Sequence, residues 1–456
     1  MKLATDIKAL KLWFLISSEG VEEKPWLKDL LIWFPLYFIG KGGQRMYEKT
    51  ALLAGAARVP IEIPPSFFPY EGFAGLHDLL YVRALVLADG VNQFLWVVAD
   101  LTSLPNEFVH DLKKQLSLQY GLDELAIWIG VSHTFQSPHI KYGSEDEKDK
   151  LFCDAVEYAI FSATEDAMQS QEQVRLGMGV GTCDVNCNRD VLTSRGWWKG
   201  SNPEGPSDKH VRIIRIENLD GNVVALWINY AVQSSVLQNS VSLVSGDLAG
   251  LVTRTVECQF HDDVVAIWGV GAAGDQDPLF KANWKSADGV NHTLDEKGAF
   301  GLLEMLADRL STAILHTTKA IITKESYGEL KILAQKIRIP GQEIFPDIHT
   351  MKPTKKYFFI PSEDREVTIH ILVVDSIAFV GLAPELVCVT AKEISDNSPY
   401  RNLMLMTMIN GGMKYLPDAA SYEKITYAAM NSYGAKGAAE LVRDAIIAAL
   451  YKTMGM

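Results

Sequence analysis

Several apolar runs in this chain break into short polar segments whose side chains bind metals or move protons. Residues 125–131 lead into Ser132-His133-Thr134-Phe135-Gln136-Ser137-Pro138-His139, which carries two imidazoles. The run 223–230 opens into Ala231-Val232-Gln233-Ser234, and 264–269 opens into Val270-Gly271-Ala272-Ala273-Gly274-Asp275-Gln276-Asp277-Pro278. Further on, 377–382 leads to Ala383-Pro384-Glu385, and 403–409 to a segment containing Tyr415. Taken singly, a loop histidine is a satisfied hydrogen-bonding group and a lone acid is a helix cap. Together, an imidazole, carboxylates, an amide and a phenol at the ends of buried strands describe a shared site. Such groups can hold a divalent metal or exchange protons with a substrate.

The elements that must position these groups follow from pattern. Pairs of apolar segments flank the turn signals Asp89-Gly90, Asp220-Gly221 and Asp375-Ser376, predicting hairpins over 83–99, 211–230 and 367–382. Single buried strands are predicted at 125–131, 264–269 and 403–409. Helical spacing of apolar residues predicts a helix capped by Asn106, and others at 151–168, 248–259, 299–314, 384–394 and 438–451. Strands and helices interleaved in this way indicate an α/β fold with mixed sheets and flanking helices, in a single domain over 46–456. Residues 183–207 show little periodicity, contain Trp197 and Trp198, and read as an irregular lid or binding loop.

Residues 1–45 form a separate amino-terminal arm, rich in aromatics between Lys24 and Gly40. Its apolar stretch falls far short of the roughly 20 residues that cross a bilayer. The arm reads as a helical element packed on the core or on another subunit of a homo-oligomer, or as an interfacial element touching a membrane. A net charge of −13 argues against a nucleic-acid partner and leaves a small molecule as the expected one. Five cysteines without a pairing pattern, and a charged start unlike a signal peptide, place the chain in the cytoplasm.

The order of several segments resembles the amino-terminal domain of the neutral/alkaline (non-lysosomal) ceramidase family. The matching pieces are Leu53-Ala54-Gly55-Ala56-Ala57-Arg58-Val59, His77-Asp78, Ser132-His133-Thr134, Asn188-Arg189, Pro203-Glu204-Gly205-Pro206, Ile228-Asn229-Tyr230-Ala231, Ser245-Gly246-Asp247-Leu248-Ala249-Gly250 and Gly271-Ala272-Ala273-Gly274-Asp275. The resemblance spans roughly 53–450 and lacks the family's carboxy-terminal domain. It implies a zinc amidase whose metal is held by two histidines, a glutamate and a tyrosine. His133 matches the first histidine, Glu385 the glutamate, and Tyr415 the tyrosine, ahead of Tyr422 and Tyr427.

Three departures follow. Gln233 stands where the second zinc-binding histidine is expected, Phe135 replaces a substrate-site histidine, and Asp277 occupies the position of the catalytic serine. An amide oxygen is a poor substitute for imidazole on zinc, so the resemblance implies a weakened or lost metal site. The expected activity is that of a ceramidase-like hydrolase acting on an amide or related carbonyl group, and not on ceramide. Asp275, Asp277, Asp247 and Tyr415 are the expected proton-transfer groups. Phe135, Gln233, His139, Asn188, Arg189 and Trp197 are expected to contact substrate. Zinc, if held, falls to His133, Glu385, Tyr415 and Gln233. The alternatives are a metal-independent acid/base enzyme (cyclase, isomerase or acyl transferase) and a non-catalytic binding protein.

Overall fold

In a computed structural model, the described residues are 51–238, 240–285, 290–348 and 350–455. The amino-terminal arm lies outside them. Eight strands make one sheet: β1 (Leu53–Pro60), β2 (Tyr81–Ala88), β3 (Gln93–Ala99), β4 (Ile127–Val131), β5 (Glu172–Thr182), β6 (His210–Asn218), β7 (Val223–Tyr230) and β8 (Val265–Val270). Their order is β8-β7-β6-β5-β1-β2-β3-β4, with the short strand Lys324–Glu325 alongside β5. The anticipated hairpin turns are present, with Gly90 at φ 86° and Gly221 at φ 89°, a conformation that glycine adopts without steric cost. A second sheet holds β9 (Lys331–Gln342), β10 (Pro361–Val374), β11 (Ile377–Gly381) and β12 (Asn402–Met406) in sequential order.

Alternation along the strands builds four layers. Val82, Ala84 and Val86 of β2, with Leu95 and Val97 of β3, face the helices α1 (Asn106–Tyr120) and α2 (Glu147–Gln169). Leu226, Ile228 and Ala266 face α3 (Asp247–Gln259) and α4 (Glu296–Ala320). The opposite faces carry Leu85, Leu87, Trp96, Trp128 and Trp227, which meet Leu372, Phe379 and Met404 of the second sheet. Trp227 stacks between Trp96, at a centroid distance of 5.7 Å, and Phe379, at 4.4 Å. The outer face of the second sheet is covered by α5 (Cys388–Asn397) and α6 (Ala438–Thr453). Strands β3, β4, β8 and β11 are therefore buried on both faces and read as continuous apolar runs, whereas most of β9 and the first half of β10 are exposed or half-buried.

The structure departs from the sequence expectation in three places. Residues 183–207 hold an ordered hairpin, Asn186–Thr193 with Gly196–Asn202, whose first strand also pairs with Gln276–Pro278. Apart from Cys187, the buried side chains of its first strand are polar (Asn186, Asn188 and Arg189), so no apolar alternation announced it. The helix expected from 384 begins at Cys388, because Glu385–Leu386 is extended and pairs in parallel with Tyr415–Leu416. Asn106 opens α1 without capping it; its side-chain oxygen accepts from the Gly412 backbone N–H at 2.8 Å instead.

Strand direction explains why the polar segments converge. The pairs β3/β4, β7/β8 and β11/β12 are parallel, so each pair delivers its carboxyl ends to the same edge. Backbone hydrogen bonds tie these ends across the two sheets: Thr407 N–H to the Val270 carbonyl at 2.9 Å, and Asn410 N–H to the Ile129 carbonyl at 2.7 Å.

Candidate active site

A cavity of about 890 Å³ opens at this edge, lined by residues that include Thr102, His133, Phe135, Met408, Asn410, Lys414, Tyr415 and Glu385. Four of its lining residues, His133, Met408, Asn410 and Lys414, hold left-handed backbone conformations with φ between 53° and 61°. Non-glycine residues adopt that region at an energetic cost, and such strain gathers where side-chain aim matters more than stability.

Three of the four groups anticipated from sequence, His133, Glu385 and Tyr415, line the cavity, and Gln233 lies directly behind them. His133 Nε2 lies 3.5 Å from Glu385 Oε2. Gln233 Nε2 donates to the same carboxylate oxygen at 2.8 Å and stands 3.5 Å from the Tyr415 hydroxyl. Glu385 and Tyr415 are register partners in their short parallel pairing, which fixes their spacing. His133 Nδ1 is 2.6 Å from the Thr102 carbonyl; a carbonyl only accepts, so Nδ1 carries a proton and Nε2 is the exchanging nitrogen. Burial opposes the charged imidazole, but the Glu385 carboxylate and the Thr102 carbonyl outweigh it and raise its pKa. Burial also raises the Tyr415 phenol well above its ordinary range, more than the Arg189 guanidinium lowers it.

Behind these groups stands Arg189. Its Nη1 donates to Gln233 Oε1 at 2.9 Å and its Nη2 to the Gly274 carbonyl at 2.6 Å, and it lies over the Tyr415 ring at 4.9 Å. Asp277 sits 3.5 Å from Arg189 and 3.2 Å from Lys281; burial would raise its carboxyl, but the Lys281 and Arg189 charges hold it below the usual range. Asn188 donates to Asp275, whose other oxygen accepts from the Cys388 backbone N–H at 2.8 Å, and burial pushes this carboxyl up to about 7. Asp247 is fully buried, accepts backbone N–H groups from Val236, Leu237 and Leu248, and is pushed by burial to about 6.

The structure thus gathers His133, Glu385, Tyr415 and Gln233, with Phe135 on the same wall, 4.8 Å from His133 between ring centroids. Asp275, Asp277 and Asp247 do not line the cavity and hold the loops around it. His139 is at the exposed mouth, where Glu71 engages its Nδ1 at 2.9 Å, and so it does not reach the floor. Trp197 is also away from the lining, beneath Lys424 at 5.0 Å. Thr102, His370 and Asn431 line the cavity without any motif in the sequence to mark them.

The residues do not fit the four-ligand zinc centre that the resemblance implies. Gln233 offers Glu385 and Tyr415 an N–H donor, while its only ligand atom, the amide oxygen, faces Arg189. Reversing the amide would set two donors against each other at the Arg189 end and two oxygens against each other at the Glu385 end. Among the described residues, no group of three or more His, Cys, Asp and Glu side chains is arranged to hold a metal ion.

No protein-family model and no curated protein matches the chain. Solved structures do, and two of them are ceramidases. One is a neutral ceramidase from Pseudomonas aeruginosa, with a TM-score of 0.70 at 15% identity over 87% of this chain and 74% of that one. The other is a ceramidase complexed with C2, with a TM-score of 0.69 at 13% identity over the same shares. At such identity the likeness is one of architecture: the chain has the neutral-ceramidase fold.

Proposed function

We propose that the chain is an enzyme that hydrolyses an amide or related carbonyl bond in a small molecule, by proton transfer and without zinc. The observation that carries this reading is the buried His133–Glu385 pair beside the Tyr415 hydroxyl on the cavity wall. His133 Nε2 is buried and faces Glu385 at 3.5 Å, while Thr102 holds the other nitrogen and thereby the ring's orientation. In this reading a water at Nε2 gives up a proton as its oxygen attacks the carbonyl carbon. The same proton then passes to the leaving nitrogen as the C–N bond breaks. Glu385, beside the same nitrogen, stabilises the imidazolium between the two steps by its charge, while the Thr102 carbonyl holds the Nδ1 position that the acid of a triad takes. Tyr415, kept protonated by its burial, donates to the oxyanion that forms. Gln233, fixed by Arg189, holds Glu385 in place. All five cysteines are unpaired, which supports a reducing, cytoplasmic setting.

The test is acid and amine release from a panel of N-acyl compounds, followed by mass spectrometry. His133→Asn should lower the rate by about 10²–10⁴-fold. Tyr415→Phe should lower it by roughly 10²–10³-fold, and exhaustive chelation should leave it unchanged. Full activity in His133→Asn would sink the proton-transfer role; loss on chelation with recovery on zinc would sink the metal-free one.

A further inference from the structure

The charges on the cavity wall do not balance. Its two acids both have partners: Glu385 has His133 at 3.5 Å and the Gln233 amide at 2.8 Å, and Glu366 has Lys336 at 2.7 Å. Two of its cations, Arg365 and Lys414, have no acidic partner among the described residues, and both are exposed. Both border one short segment. Lys414 pairs with Ser432 in an antiparallel bridge, and the guanidinium of Arg365 lies 5.4 Å from the ring of the next residue, Tyr433. Two exposed cations without acidic partners on the wall of one cavity, in a protein of net charge −13, are a local reversal of sign that favours an anion.

Deeper groups on the same wall also lack partners. The Asn410 side-chain oxygen accepts from Ile129 N–H at 2.8 Å, so its nitrogen faces His370 Nε2, at 3.3 Å. His370 Nε2 must then accept, and Nδ1 carries the proton; that N–H is buried and unpaired. Burial, aided by Lys113, keeps this imidazole neutral. Asn431, 2% exposed, leaves its side-chain oxygen equally unpaired. Buried polar atoms without partners cost free energy, and His370 and Asn431 both line the cavity. Between these groups the wall is apolar, with Phe135, Ile140, Met408 and Ile409.

We infer that the cavity takes an amphipathic anion, an N-acyl compound whose acid group (carboxylate or phosphate) is held by Arg365 and Lys414 while its carbonyl lies near His133. This inference rests on the proposed carbonyl chemistry for the reaction, but not for the binding, and the two are separable by experiment. Calorimetric titration of the full chain would compare N-hexanoylglycine, its uncharged methylamide, and N-hexanoyl-aminoethyl phosphate. At least one of the two anions should bind about ten-fold or more tighter than the methylamide, since charge-assisted hydrogen bonds are the stronger ones. Which anion binds better tells carboxylate from phosphate. The double variant Arg365→Gln/Lys414→Asn should erase the preference; both positions are exposed, and asparagine tolerates the left-handed backbone at 414. Equal binding of all three compounds, no binding of any, or a preference that survives the double substitution would each overturn the inference. Tight binding of an anion that is never cleaved would leave it standing and refute the hydrolytic reading alone.

Discussion

At the residue scale, Gln233 is the position on which the chemistry turns. An imidazole there would complete the ligand set of His133, Glu385 and Tyr415; the amide instead donates to Glu385 and accepts from Arg189. Gln233→His should therefore raise zinc affinity by well over about ten-fold, because imidazole is a far better zinc donor than an amide. Zinc titration of both proteins checks this, and equal affinities would mean that residue 233 does not face a metal position. A second residue-scale expectation concerns Asp275, whose carboxyl is raised to about 7 by burial. A raised folded pKa favours the protonated form, so its contribution to stability is complete below the unfolded value near 3.9 and is lost as pH rises through about 7. Asp275→Asn, neutral throughout, loses an acceptor for Asn188 and should be the less stable protein at low pH. The gap should narrow as pH rises from 4 to 8, measured by denaturant unfolding at each pH; parallel curves would show that Asp275 ionises alike in both states.

At the element scale, the loop 271–275 must lie flat against the strand that carries Glu385. A Cβ on Gly274 would stand 2.8 Å from the carbonyl oxygens of both Glu385 and Leu386, which are backbone atoms with little room to yield. Gly274→Ala should cost about 1–3 kcal/mol of stability by overpacking. It should also depress turnover more than substrate binding, because it displaces Glu385 from His133. Unfolding and kinetics on one preparation test both halves, and a variant as stable and active as the parent would place the loop elsewhere. The elements legible in the sequence were those with an unbroken apolar run or a tight-turn signal, such as β4 and the β2–β3 and β6–β7 hairpins. β5 was not legible, because Gly177, Gly179 and Gly181 leave one of its faces bare where Ile321, Ile322 and Thr317 press against it. The hairpin over Asn186–Asn202 was not legible because most of the buried side chains of its first strand, Asn186, Asn188 and Arg189, are polar. The gathering of His133, Gln233, Glu385 and Tyr415 was legible through their strand-end positions and the resemblance. The roles of Thr102, His370 and Asn431 were not, since each depends on contacts between residues distant in the chain.

At the scale of the whole molecule, the site straddles the seam between the two sheets. His133 and Gln233 follow strands of the large sheet, whereas Glu385 follows β11 of the smaller one. The seam itself is one continuous apolar layer, centred on Trp227 and its stack with Trp96 and Phe379. A chain of this length could unfold in stages if each sheet had its own core, but a shared layer couples the two sheets. Tryptophan fluorescence, to which the seam contributes Trp96, Trp128 and Trp227, and far-ultraviolet circular dichroism, which reports all the strands, should therefore give coincident unfolding transitions. Trp227→Ala should cost about 3–5 kcal/mol, since the stacked rings on either side can close the void only in part. That loss should also reach the active site: the separation of His133 from Glu385 depends on how the sheets are seated. The variant should lose activity at temperatures where its circular dichroism is still native. Two separated transitions in the parent protein, or a destabilised Trp227→Ala variant with undiminished turnover, would show that the sheets hold the site independently of the layer between them.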